Sequence, residues 1–119
     1  MTRLVIAGSK GTDDPTMATP PFIASQAAHE QGHEVVLWLQ AEAVVLAKKG
    51  VVDGVQGVGL PALKVLANTI LSQGIPVWVC SACATTRQIH EPDLEVGAVM
   101  KGMEDYVKAV TECDRNLSF

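Results

Sequence analysis

The sequence predicts an α/β domain in which a mainly parallel, five-stranded sheet is sandwiched between helices in three layers. Three observations predict it. Short runs rich in Val, Ile and Leu alternate along the chain with helix-length segments, the order a parallel sheet needs because each connection must travel back over a face. The strand-like runs are apolar almost throughout rather than at every second position, as strands covered on both faces are. Hydrophobic residues make up 48% of 119 residues but aromatics only 4%. Val, Leu, Ile and Ala must therefore fill the interior, and this length suits one domain over 1–119 with one core.

The elements follow in order. Residues 3–7 read as a buried strand stopped by Gly8, and residues 8–16, rich in turn formers, as a loop. Thr19 is placed to cap a helix with Pro20 at its first position, and Gly32 follows its end. Residues 34–39 form a second strand, and 41–49 a short helix ended by Gly50. Residues 61–73 give the clearest helix, with Leu63, Leu66, Ala67 and Ile70 at i, i+3, i+4 and i+7 and Gly74 behind them. Pro76 opens the strand 76–80, a position where proline is tolerated. A turn then leads into a short strand near Ala98–Met100. Residues 103–112 form a helix with Met103, Tyr106, Val107 and Val110 on one face, and 115–119 alternate as a terminal strand with Leu117 and Phe119 facing one way.

Charge and cysteine usage exclude several classes of function. The net charge is −4, from 13 acidic and 9 basic residues, with no block of either sign. That disfavours direct nucleic-acid binding and a basic membrane-binding face. No apolar run approaches the roughly 20 residues that span a bilayer, and Leu4 to Ala7 is too short for a signal-peptide core. The expectation is a cytoplasmic protein. Three cysteines are an odd number and argue against a secreted disulfide framework.

The segment Val77-Trp78-Val79-Cys80-Ser81-Ala82-Cys83-Ala84-Thr85-Thr86-Arg87 carries the chemistry. An apolar run ends on Cys80, and Cys83 follows within the first turn of a helix. Helix N-termini offer partial positive charge and unpaired N–H groups, which favour thiolate over thiol. Cys-x-x-Cys pairs so placed can have thiol pKa values of about 3.5–7.5. Cys83 lies one turn from Cys80 and either resolves an oxidised or persulfidated Cys80 or packs; the spacing leaves both open. Arg87, a turn further on, either supports an anion or is a solvated helix residue, and Ser81 sits at the helix start. Ligands of parallel sheets gather beyond the carboxyl ends of the strands, where the loops Gly8–Thr16, Gln40–Glu42 and Cys80–Arg87 should meet. Asp13, Asp14 and Glu42 are candidates for that rim. Ser9, within Gly8-Ser9-Lys10-Gly11, weakly suggests an anion loop, but the run lacks the phosphate-loop pattern. His29, His33, His90 and Cys113 read as structural or surface residues.

Taken together, the order of pieces resembles the DsrE/DsrF-like family of small α/β sulfur-relay proteins, which includes the TusD-type subunits. The resemblance covers nearly the whole chain. It runs from Leu-Val-Ile-Ala-Gly-Ser at the start through Gln31-Gly32-His33-Glu34-Val35, Gly50-Val51 and Gly74-Ile75-Pro76-Val77-Trp78-Val79-Cys80 to Asp114-Arg115-Asn116-Leu117-Ser118-Phe119. It implies a reactive cysteine at Cys80 and a persulfide carried between donor and acceptor proteins. It also implies assembly into homotrimers, homohexamers or related oligomers. Members differ in whether the second cysteine is present, so the role of Cys83 is not settled by it.

The function expected is thus a sulfur carrier or sulfurtransferase acting through Cys80 and Cys83, supported by Arg87, Ser81 and Ser9, with no organic cofactor and no metal. A thiol–disulfide oxidoreductase is one alternative, although thioredoxin-like enzymes carry their Cys-x-x-Cys early and use a later cis-proline. Zinc held by Cys80, Cys83, Cys113 and His90 is a second, weakened because structural zinc usually needs two close pairs. A non-catalytic oligomeric module that binds a small molecule is a third.

Overall fold

A computed structural model describes residues 2–119. Five strands form one parallel sheet: β1 (Arg3–Gly8), β2 (Glu34–Leu39), β3 (Val77–Cys80), β4 (Ala98–Lys101) and β5 (Arg115–Ser118), in the order β4-β3-β2-β1-β5. The helices are α1 (Pro15–Ala18), α2 (Pro20–Glu30), α3 (Leu63–Ser72), α4 (Ser81–Thr86) and α5 (Met103–Glu112). Three 3-10 turns, at Ala41–Ala47, Val51–Gly54 and Glu91–Asp93, complete the connections.

Side chains alternate between the faces of a sheet, and the registers sort them. Leu37 pairs with Val77 and Leu39 with Val79, and these side chains look toward α2 and α3. Leu39, Val77 and Ala98 there meet Phe22 of α2 and Ile70 of α3 around a cavity of about 50 Å³. On the other face, Trp38 pairs with Trp78 and Val5 with Val36. That face carries α5, whose Tyr106 stacks on Trp38 with ring centroids 4.7 Å apart and planes 16° from parallel. The buried residues form one contiguous cluster, with Ile6, Leu37, Trp38, Leu63, Ile70 and Val79 wholly enclosed.

Three local expectations are refined. The segment after β2 is a 3-10 helix over Ala41–Ala47 rather than an α-helix over 41–49. Ala41 enters it in the left-handed region (φ 50°), and β-branched Val44 and Val45 disfavour a regular α-turn. The loop 8–16 closes into the one-turn helix α1, because Asp14 accepts the Met17 amide through its side chain at 3.1 Å and Asp13 accepts that of Gly11 at 2.8 Å. These two acids are occupied in building the turn. Thr19 precedes Pro20 as read, but its hydroxyl donates to the Pro15 carbonyl at 2.8 Å instead of capping α2.

The helix α5 also differs from its sequence pattern. Of the apolar stripe Met103, Tyr106, Val107 and Val110, Met103 and Val107 are 51% and 53% exposed. The arc turned inward instead runs through Tyr106 and Ala109 to Cys113. The apolar face of α5 is wider than the sheet beneath it can cover.

Candidate functional site

The two cysteines come together where β3 ends. Cys80 is the last residue of β3 and the N-cap of α4, so one turn of helix lifts Cys83 back over it. Alternation along β3 turns Cys80 to the same face as Trp78. Cys80 is 3% exposed and Cys83 is half-buried; both are free thiols.

Burial pushes the Cys80 thiol above its ordinary range. Backbone amides of Cys83 and Ala82 favour its anion, but the neighbouring Cys83 thiol adds to the rise, and desolvation is the largest effect. Helix-start geometry led the sequence reading to expect a lowered value. The difference is physical: α4 is only six residues long, and the strand end is closed over by packed chain.

The expected loops do meet. The Ala41 amide donates to Cys83 Sγ at 3.3 Å, which ties the turn after β2 to the cysteine helix. Arg87 donates from Nε to Glu42 Oε2 at 3.1 Å and from a terminal nitrogen to the Cys83 carbonyl at 3.1 Å. Its charge is thereby neutralised by Glu42. The first loop reaches the same turn at Gly11, where an added Cβ would collide with the Glu42 carbonyl. Gln40 accepts the Trp38 indole N–H at 2.8 Å and donates its own amide to the Gly8 carbonyl at 3.0 Å. All three strand ends are therefore joined through residues 40–42.

Other candidates fall elsewhere. Ser81 is the first residue of α4, adjacent to Cys80. Ser9 follows β1, two strands away, and its hydroxyl donates to the Phe119 carbonyl at 3.0 Å. The His90 amide is held by Asp93 in a turn, and Cys113 Sγ donates to the Val110 carbonyl at 3.1 Å at the end of α5. Among the described residues, no three His, Cys, Asp or Glu side chains converge as metal ligands would.

One residue beside the cysteines was not foreseen. Lys101 ends β4 in register with Cys80, and its ammonium lies 5.2 Å from the centroid of the Trp78 ring. Only the β3–β4 register reveals it, since 21 positions separate the two in sequence.

A five-stranded parallel sheet flanked by helices, with a cysteine at the strand-to-helix junction of an inner strand, defines a small α/β protein. The chain belongs to the DsrE/DsrF-like family, whose model matches residues 2–119, a family generally linked to sulfur relay. It is similar over its whole length to the ychN protein of E. coli, with a TM-score of 0.84 at 20% identity and full coverage of both chains. MTH1491 of Methanobacterium thermoautotrophicum, a protein of unknown function, matches at 0.71 and 13% identity, again with both chains fully covered. At these identities the likeness is one of fold. In sequence the chain is 28% identical over 110 residues to the uncharacterised protein MJ0760 of Methanocaldococcus jannaschii, and it spans 92% of itself but only 40% of that longer relative.

Proposed function

We propose that this protein is a sulfur carrier that holds a persulfide on Cys80 and passes it between partner proteins. The observation that carries this reading is the pairing of two free thiols, Cys80 at the end of β3 and Cys83 in the first turn of α4. In the forward step the Cys80 thiolate attacks the outer sulfur of a donor persulfide. A Cys80–sulfur bond forms as the donor's S–S bond breaks, and the electron pair leaves with the donor thiolate, which takes up a proton. No net oxidation occurs. The acceptor's thiolate repeats the step in the opposite sense, and thiolate fraction and access set the rate of both.

Deep seating of Cys80 supports storage rather than free diffusion of sulfur, because a persulfide enclosed by packed chain is shielded from stray thiols. The same seating means that exchange needs a local opening at the end of β3, which small reagents reach by fluctuation and a partner's approach would hold open. Self-association fits this reading. Val99 (43% exposed), Met103, Val107, Leu117 and Phe119 leave apolar surface on α5 and the two outer strands, and a homotrimer or homohexamer would cover it. A reducing cytoplasm suits three free thiols. None of the described helices is long and apolar enough to cross a membrane.

The test is mass spectrometry of the intact protein after exposure to polysulfide. The expected result is a gain of one sulfur atom that survives Cys83→Ser and disappears in Cys80→Ser. Loading that persists without Cys80 overturns the assignment. The close approach of the two thiols favours a second reading, a Cys80–Cys83 dithiol exchanging with disulfides. It predicts insulin reduction, which a carrier does not perform.

A further inference from the structure

We propose that Lys101 is an anion-binding residue of the cysteine site, its ammonium leaving Trp78 to receive the negative charge of a persulfide on Cys80 and of the anionic donor that delivers it. This inference rests on the sulfur-carrier reading and extends it to a residue that the Cys-x-x-Cys motif does not contain.

Four observations carry it. Lys101 and Cys80 are partners in the parallel ladder between β3 and β4, so their side chains leave the sheet on the same face from adjacent strands. The position of the Lys101 ammonium over Trp78, two residues before Cys80 on that face, independently fixes this direction. Among the described residues the ion pairs are Arg3–Glu34, Lys64–Asp53 and Arg87–Glu42, so Lys101 has no carboxylate partner while Arg87 does. Lys10, the other cation near the strand ends, belongs to the loop after β1, a strand two removed from β3.

The chemistry needs such a group. A persulfide is anionic at neutral pH, and a sulfur enclosed as Cys80 is lacks water to solvate that charge. Arg87 is already neutralised and faces the Cys83 side of the site. Lysine is suited to the task because its compact charge rides on a flexible four-carbon stem. Its hold on a partly buried indole is only a cation–π contact at 5.2 Å, so a nearby anion can draw it across. Trp78 then serves as the resting place of the cation when no sulfur is bound.

The experiment uses the full chain carrying Cys83→Ser and Cys113→Ser, which leaves Cys80 as the sole thiol. Rates of Cys80 alkylation are measured with anionic iodoacetate and neutral iodoacetamide, and their ratio reports the local field. The ratio is expected to fall about five- to tenfold in Lys101→Gln, to fall further in Lys101→Glu and to recover in Lys101→Arg. Lys10→Gln should leave it unchanged. A ratio that stays within twofold in both Lys101→Gln and Lys101→Glu overturns the proposal. Failure of both reagents to reach Cys80 overturns it too, since a cation serves this sulfur only if anions arrive there. Polysulfide loading of the same proteins separates the two readings. A protein that loads sulfur but shows no change in ratio loses only the role of Lys101. A ratio that responds in a protein that never loads sulfur keeps the anion site and removes the carrier function.

Discussion

Arg87 and Glu42 form an ion pair at 3.1 Å that bridges the cysteine helix and the turn after β2. The pair is about one-third exposed on each side, so it is a latch of modest strength. Glu42→Ala is expected to cost only about 0.5–1 kcal/mol in a urea titration. It also frees the guanidinium beside Cys83, and Cys83 should then react several-fold faster with iodoacetate while its rate with iodoacetamide barely moves. Equal acceleration by both reagents would point to loosening of the turn rather than to charge.

The raised pKa of Cys80 has a defined pH signature. Below the ordinary thiol range Cys80 is protonated whether the chain is folded or not, and its contribution does not vary. As pH climbs through that range the unfolded chain ionises first, because burial holds the folded thiol protonated. Folding stability should therefore decline with rising pH across the interval between the two values. Cys80→Ser removes this component, so the difference between wild type and variant should shrink or change as pH rises from neutral to alkaline. Alkylation of wild-type Cys80 should be slow at neutral pH and rise later than that of a free cysteine. An early rise, at or below the free-thiol curve, would contradict the dominance of burial.

Gly11 is confined by its neighbours. Its backbone passes so close to the Glu42 carbonyl and to Val45 that any side chain there must displace the turn at Ala41–Ala47. Gly11→Ala is expected to destabilise by about 1–3 kcal/mol, the usual range for overpacking. Because the displaced turn also supplies the Ala41 amide to Cys83, Cys83 labelling should accelerate as well. Stability loss with unchanged labelling would show that the two loops move independently.

Val107 tests self-association. It is 53% exposed on the outer side of α5, where glutamate is compatible with a folded monomer. Val107→Glu should shift a sedimentation profile toward smaller species with an unchanged circular dichroism spectrum. An unaltered profile would place any subunit contact elsewhere.

Much of this was legible in the sequence because it depends on local pattern. The apolar runs located every strand to within a residue or two, and the change from strand to helix was legible at Cys80, where β3 meets α4. What the sequence left open or did not show depends on distant partners. Whether Arg87 is free depends on Glu42, 45 positions earlier. Whether Cys80 is acidic depends on how much chain closes over it, which a helix-start motif does not report. Lys101 emerges only from strand register, and the split stripe of α5 only from the width of the face it covers. The turn at Ala41 takes its left-handed entry and its sulfur contact together, a combination no single residue type announces.

The last strand pairs with the first: Leu4 to Ala7 of β1 lie against Arg115 to Ser118 of β5. Joining segments more than 100 positions apart makes this a late event in folding, since the intervening loop must be closed before the hydrogen bonds repay it. All four residues of β5 are exposed, so little packing holds it down. Newly made chains would accordingly pass through a stage in which the β1 border is bare and able to recruit a strand from another molecule. Misassembly, if it arises in this protein, should begin along that border rather than at the thiols.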